Sequence, residues 1–116
     1  MPDPDFTIKQ GDTSPAISAQ LRDGTEPIDL TDAVIAFRMD HRVTDTRVSG
    51  LCARTDIEDG RVAYSWNNGD TAETGQYDGE FILDYDYPES IDEFDVDQTF
   101  PSDGFLSIHV TETLDG

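Results

Sequence analysis

"GDTAETGQYDGEFILDY", residues 69–85, joins a dense turn to a clean strand. Gly69 and Gly75 punctuate the turn. After it Tyr77, Gly79, Phe81, Leu83 and Tyr85 occupy every second position. A period of two puts those side chains on one face of an extended chain, so the stretch predicts a half-buried β-strand. Gly79 lies inside that strand, where a missing side chain more often permits a bulge or close packing than marks a site.

The same alternation recurs outward from this strand, at Ile17, Ala19 and Leu21, at Ile35, Phe37 and Met39, and at Val62, Tyr64 and Trp66. Turn-forming runs separate the strands: "QGDTSP" at 10–15, "DGTEP" at 23–27, "IEDG" at 57–60, "NNGD" at 67–70 and "PSDG" at 101–104. Strands are expected over 6–9, 16–22, 33–39, 61–66, 77–85 and 105–111. A weaker one, interrupted by Gly50, is expected over 47–55. Ile28 and Leu30 add a short apolar pair, and no segment carries a helical period. About seven strands with turns at near-regular intervals predict an all-β fold, an immunoglobulin-like antiparallel β-sandwich, with a small closed barrel as the competitor. Trp66 is expected in the core, and Tyr77 is placed to supply the tyrosine corner of such a sandwich. At 116 residues the chain fits one domain: residues 6–116, preceded by a loose arm at 1–5. A polar loop at 40–46 and a long acidic loop at 86–99 are expected on its surface.

The chain carries 26 acidic residues against 7 basic ones, a net charge of −19, and only 35% hydrophobic residues. Those values approach the disordered regime, but scattered apolar residues would not alternate as these do. Acids run from Asp3 to Asp115, Asp outnumbers Glu, and Lys9 is the single lysine. This surface reads as one made for concentrated salt, where the Debye length shrinks to about 3 Å and carboxylates cease to repel at a distance. The plainer alternative is an acidic surface kept for solubility. Either way, nucleic acids and anionic membranes are poor partners, since both demand cationic surface; DNA mimicry is the one exception. Cys52 is the sole cysteine, expected as a small apolar strand residue, and an intrachain disulfide is excluded. No apolar run approaches the roughly 20 residues of a membrane helix, and "MPDPDFTIKQ" has neither a basic nor an apolar signal region. A soluble protein without an export signal is expected.

An enzyme would have to be built from His41, in the polar loop, and His109, which faces away from its neighbours Ile108 and Val110 in the last strand. The chain has no Gly-x-Ser-x-Gly and no glycine-rich phosphate loop. Paired carboxylates arise by chance at this acid content, so no catalytic residue is expected. Asp84, Asp86, Asp92, Glu93, Asp95 and Asp97 crowd one segment, and hard cations want clustered oxygens. Yet "DEFDVDQTF" lacks the central glycine and terminal glutamate of the calcium-loop signature. Solvated surface acids explain the cluster, with Asp84, Asp86, Asp95 and Asp97 as weak candidates for a loosely held cation and no other cofactor expected. Tyr87 and Phe94 break from the strand pattern. They suit an edge cover or a contact with a neighbouring subunit, with sugar binding, together with Tyr85, as the alternative.

The punctuation as a whole resembles a known family. "GDTSP", "IDLTDAVIAFRM", "DIEDGRVAYSWNNGDTAETGQYDGEF" and "TFPSDGFLSIHV" follow in an order similar to the small immunoglobulin-like domain of tailed-virus structural proteins, related to the N-terminal domain of phage baseplate upper proteins. The resemblance spans about 6–110. Tyr64, Trp66, Asp70, Thr71, Gly75, Tyr77, Glu80 and Phe81 match its Y-x-W, D-T and G-x-Y-x-x-E-F core, and Phe100, Pro101, Asp103 and Gly104 match its closing turn. Asp32 departs from the glycine usual after D-L-T, and 86–99 is longer than the usual hairpin there. The resemblance implies a non-enzymatic virion structural protein, and the acid-rich surface then suggests a tailed virus of a halophilic archaeon. The expected role is an assembly module repeated in a tail or baseplate, docking on other virion proteins as a symmetric homo- or hetero-oligomer. Capsid decoration or turret protein and host-surface adhesin are the alternatives. Expected contacts lie on the arm, on the 40–46 loop with His41, and on the acidic loop with Tyr87, Asp92, Phe94 and Asp95.

Overall fold

The structure, a computed structural model, describes residues 5–85, 94, 96, 98–101 and 104–112. These residues form strands and turns with no helix. In chain order the strands are β1 (Phe6–Lys9), β2 (Ile17–Gln20), β3 (Arg22–Asp23), β4 (Glu26–Pro27), β5 (Val34–His41), β6 (Arg47–Leu51), β7 (Ala53–Asp56), β8 (Arg61–Tyr64), β9 (Gly75–Asp84), β10 (Gln98–Phe100) and β11 (Leu106–Thr111).

The large sheet runs β1-β11-β9-β5-β6. β10 joins β9 opposite Phe81–Leu83, beyond the point where β11 leaves it opposite Gly79. All its pairs are antiparallel except β1 with β11, which places Ile8 beside Val110 in parallel register. A second sheet runs β2-β8-β7, and β3 and β4 form a small hairpin. β9, grown from the stretch that opens the sequence, is the longest strand, and it pairs with β5 from Val34↔Asp84 to His41↔Tyr77.

The alternating positions point into one core shared by both sheets. Ile35, Phe37 and Met39 of β5 and Tyr77, Phe81 and Leu83 of β9 meet Ile17 of β2 and Val62 and Tyr64 of β8. Phe37 sits at the centre, its ring 5.2 Å from those of Tyr64 and Phe81 and edge-on to Trp66 at 5.8 Å. Such tilted and edge-on contacts suit the quadrupoles of the rings. Trp66 is buried, as its place in the alternation requires. Gly79 provides close packing, since a Cβ there would lie 2.4 Å from Ile108 Cδ1 and 3.2 Å from the Phe37 ring. Tyr85, the last member of the β9 series, is exposed because the strand ends at Asp84.

Several boundaries differ from the sequence reading, each for a local reason. The 47–55 strand breaks at Cys52, not at Gly50. β6 belongs to the large sheet and β7 to the second, so one extended segment crosses between them. At the crossing the Cys52 N–H still donates to the Ile35 carbonyl, 2.8 Å away. Gly50 instead lets the Tyr64 ring approach the strand closely, where a Cβ would stand 2.7 Å from it. Cys52 itself is half-buried against the core. The expected 16–22 strand ends at Gln20, after which the Leu21 N–H turns to the Gly60 carbonyl and Arg22–Asp23 pairs with β4. Asp5, assigned to the arm, is tied to β11: its N–H donates to Ser107 O, and its carboxylate accepts from Ser107 N–H, both at 2.8 Å. Asp40 and His41 belong to β5 and not to a loop. In the acidic segment 86–99, Gln98 and Thr99 belong to β10.

Candidate functional site

Four of the motif residues, Tyr64, Trp66, Asp70 and Thr71, assemble into one structural joint. Two turns meet there, Gly11–Pro15 and Asn67–Thr71. The Trp66 indole N–H donates to Pro15 O at 3.0 Å, and the Thr71 hydroxyl donates to Asp12 O at 2.8 Å. From the other side Gly11 N–H reaches Thr71 O and the Gln10 amide reaches Ala72 O. Asp70 closes its own turn by accepting from Asn67 N–H at 2.8 Å, and it also accepts from the Tyr64 hydroxyl at 2.5 Å. Burial, and then this bond to a carboxylate, raise the Tyr64 phenol above its ordinary pKa. Tyr77 donates its hydroxyl to the Glu73 carbonyl four residues upstream at 2.7 Å, the local geometry of a tyrosine corner. Gly75, at φ +135°, lies under the His41 ring, where a Cβ would fall 2.3 Å from Nε2. Glu80 pairs with Arg38 and Phe81 fills the core. In the closing turn Phe100 is buried, the Phe100–Pro101 peptide bond is cis and Gly104 has φ +73°; Asp103 lies outside the described residues.

His41 was expected as a surface contact, and its side chain proves to be buried. Nδ1 accepts the N–H groups of Val43 and Thr44 at 3.0 and 3.2 Å, Nε2 donates to Thr74 O at 3.0 Å, and the ring stands edge-on to Tyr77. Those bonds fix the tautomer with the proton on Nε2. The residue thus pins the 42–46 turn, whose tip, Val43, is 83% exposed. Glu73 accepts from the Thr44 hydroxyl at 2.6 Å, and this bond is the main reason its carboxyl lies below the usual range.

The outer face of the large sheet carries the second arrangement. Arg38 and Asp40 of β5 lie opposite Glu80 and Asp78 of β9, and Arg47 of β6 lies opposite Asp40. Arg38 binds Glu80 at 2.5 Å, Arg42 binds Asp78 at 2.8 Å, and Arg47 binds Asp40 through two nitrogens at 2.7 and 2.9 Å. The hydrogen bond from Arg47 is the main reason the Asp40 carboxyl titrates low. A recess of about 260 Å³ opens among these pairs, with Phe105, 59% exposed, and Asp45 also lining it. An apolar groove of about 280 Å³ runs elsewhere, between β2 and the Phe100–Pro101 turn, over Phe81 and Leu106. The sequence signal for the ion-pair face was present, since Arg38, Asp40, Asp78 and Glu80 are the positions between core residues. It needed the register of β5 on β9 to become a pattern.

Of the remaining expected contacts, Phe94 is half-buried, while Tyr87, Asp92 and Asp95 lie outside the described residues. Among the cation candidates, Asp84 is buried in β9, with Asp86, Asp95 and Asp97 outside the described set. Among the described residues, no three His, Cys, Asp or Glu side chains gather as a metal site. Burial pushes the Cys52 thiol up to about 12, so it stays protonated and unreactive near neutral pH. His109 is half-buried in β11, beside Gln76 and Thr7. Compared with known proteins, the chain matches no model of a protein family, no curated sequence and no solved structure.

Proposed function

We propose that the chain is an immunoglobulin-like β-sandwich serving as a non-enzymatic structural protein of a virion. In that role it docks on other virion proteins as a repeated module of the tail or baseplate. The carrying observation is the joint described above. Tyr64, Trp66, Asp70, Thr71 and Tyr77, which carry the resemblance to tailed-virus domains, each hold a turn or a strand end in place. Residues spent on the frame leave the loops free to vary with the partner, as on other sandwich scaffolds. The 42–46 turn suits a contact surface, being pinned from within by His41 and presenting Val43 outward.

The acid excess supports a home in concentrated salt, and with it a tailed virus of a halophilic archaeon. All four of the Lys or Arg to carboxylate pairs among the described residues are made by arginine, whose guanidinium can bind a carboxylate at two points, as Arg47 binds Asp40, and is less hydrated than ammonium. The role needs neither cofactor nor resident metal. Mixing the purified chain with solubilised virion proteins in molar KCl tests it. The reading expects a complex by light scattering and a density of this shape in a cryo-electron map of the particle. Absence from the particle refutes it, and a chain that binds host-surface glycan while particles assemble without it makes the protein an adhesin.

A further inference from the structure

We infer that the outer face of the large sheet is where a second copy of this chain docks, through the Arg–carboxylate pairs and Phe105. This deepens the assembly reading above by naming one surface and one partner.

Charge singles the face out. Three of the chain's seven basic residues, Arg38, Arg42 and Arg47, lie here with Glu80, Asp78 and Asp40. The pairs cancel, so the net charge of −19 is carried by the rest of the chain. Outside these pairs four basic residues stand against 23 acidic ones, so over most of its remaining surface a second copy meets like charge. Here it meets a nearly neutral surface, three arginines against Asp40, Asp45, Asp78 and Glu80, with Arg38 and Asp40 alternating in sign along β5 opposite the two carboxylates of β9.

Such a surface complements itself. Under a two-fold axis the guanidinium groups of one copy come over the carboxylates of the other, and an isologous contact needs only that one patch match itself. The charged groups remain partly exposed, with side-chain accessibilities of 47% for Arg42 and 55% for Arg47. They therefore retain donors and lone pairs for a partner.

An anchor is also present. Phe105 is 59% exposed beside the recess, although burying an aromatic ring removes considerable apolar area from water. A ring at the margin of a recess walled by Arg38 and Arg42 can stack on guanidinium groups across the axis. Aromatic and arginine side chains are also the types that dominate interface energetics. Salt sets the conditions: screening removes the long-range repulsion between the two acidic bodies, while burial of the Phe105 ring survives it.

Sedimentation equilibrium of the intact chain in molar KCl tests the inference, with Phe105→Asp, Arg42→Glu and Ile57→Asp alongside the wild type. The expected result is a wild-type dimer of twice 12.9 kDa. Phe105→Asp should weaken it by roughly thirtyfold, the loss typical of an interface anchor, and Arg42→Glu should weaken it too. Ile57→Asp, at an exposed apolar side chain in the turn between β7 and β8 of the second sheet, should leave it intact. Circular dichroism of each variant at high dilution separates lost docking from lost folding. A wild type that stays at 12.9 kDa at all concentrations overturns the inference, as does a Phe105→Asp dimer of undiminished affinity. A monomer that nevertheless binds virion proteins through this face also overturns self-docking, while leaving the assembly role standing.

Discussion

Replacing Gly60 by alanine tests the packing of the β2–β8 junction more sharply than any core truncation. Gly60 has φ +69°, and a Cβ there would lie 2.6 Å from Leu21 O and 2.9 Å from Ile28 O. Neither oxygen can yield alone. Leu21 O accepts from Ile28 N–H at 2.9 Å, and Leu21 N–H donates to Gly60 O at 2.8 Å, so the three backbones form one knot. The left-handed conformation alone costs an L-residue about 1–2 kcal/mol, and relief of the clash adds about 2 kcal/mol, the usual cost of overpacking. A total of about 3–4 kcal/mol is a large share of the roughly 5–15 kcal/mol that holds a domain together. At about 4 °C per kcal/mol for a chain of this size, the midpoint should fall by about 12–16 °C. Gly24→Ala is the control. Its φ is +64°, but its Cβ would meet nothing within 4 Å, so only the backbone cost applies, about 4–8 °C. Thermal melts in molar KCl, followed by circular dichroism, decide the matter. Equal shifts for the two variants would refute the proposed knot.

The other predictions concern the hydroxyl bond, the acid limb and salt. Tyr77→Phe keeps the ring but leaves the Glu73 carbonyl without its 2.7 Å donor, and it should cost about 1–3 kcal/mol in a denaturant melt. Asp40 has a folded pKa held below its unfolded value, chiefly by Arg47. Its contribution is complete above the unfolded pKa and is lost as pH falls through the folded one. Stability should therefore drop at acid pH, and Asp40→Asn should flatten that limb in melts across the acid range. Transfer from molar KCl to dilute buffer should lower the melting midpoint as repulsion within the −19 chain returns; an unchanged midpoint would contradict salt adaptation.

Much of the core was legible because period-two alternation needs no knowledge of partners. Ile35, Phe37, Met39, Val62, Tyr64, Trp66, Tyr77, Phe81 and Leu83 are all buried as their spacing predicts. The role of Gly79 followed from the same pattern, because a gap in an inward-facing series must be filled by neighbours, here Ile108 and Phe37. Properties that depend on register or on a bend were hidden. Nothing in "RVSGLCARTD" marks Cys52 as the crossing point, and the glycine nearby misleads because its purpose is to seat the Tyr64 ring. His41 looked like a loop residue because Asp40 and Arg42 flank it. Its burial depends on Gly75 and Tyr77, more than thirty residues away. The ion-pair face was spelled out in alternate letters of two strands but became visible only when β5 and β9 were laid side by side.

The crossing at Cys52 has a mechanical consequence. Because Arg47–Leu51 is laced to β5 and Ala53–Asp56 to β8, a single rib is stitched into both layers. Prising the layers apart therefore cannot proceed as a clean separation of two plates. The rib must be ripped from one neighbour or the other, and Tyr64, seated on Gly50, must be lifted out in the same movement. Failure under load should then be abrupt, with no half-open form along the way.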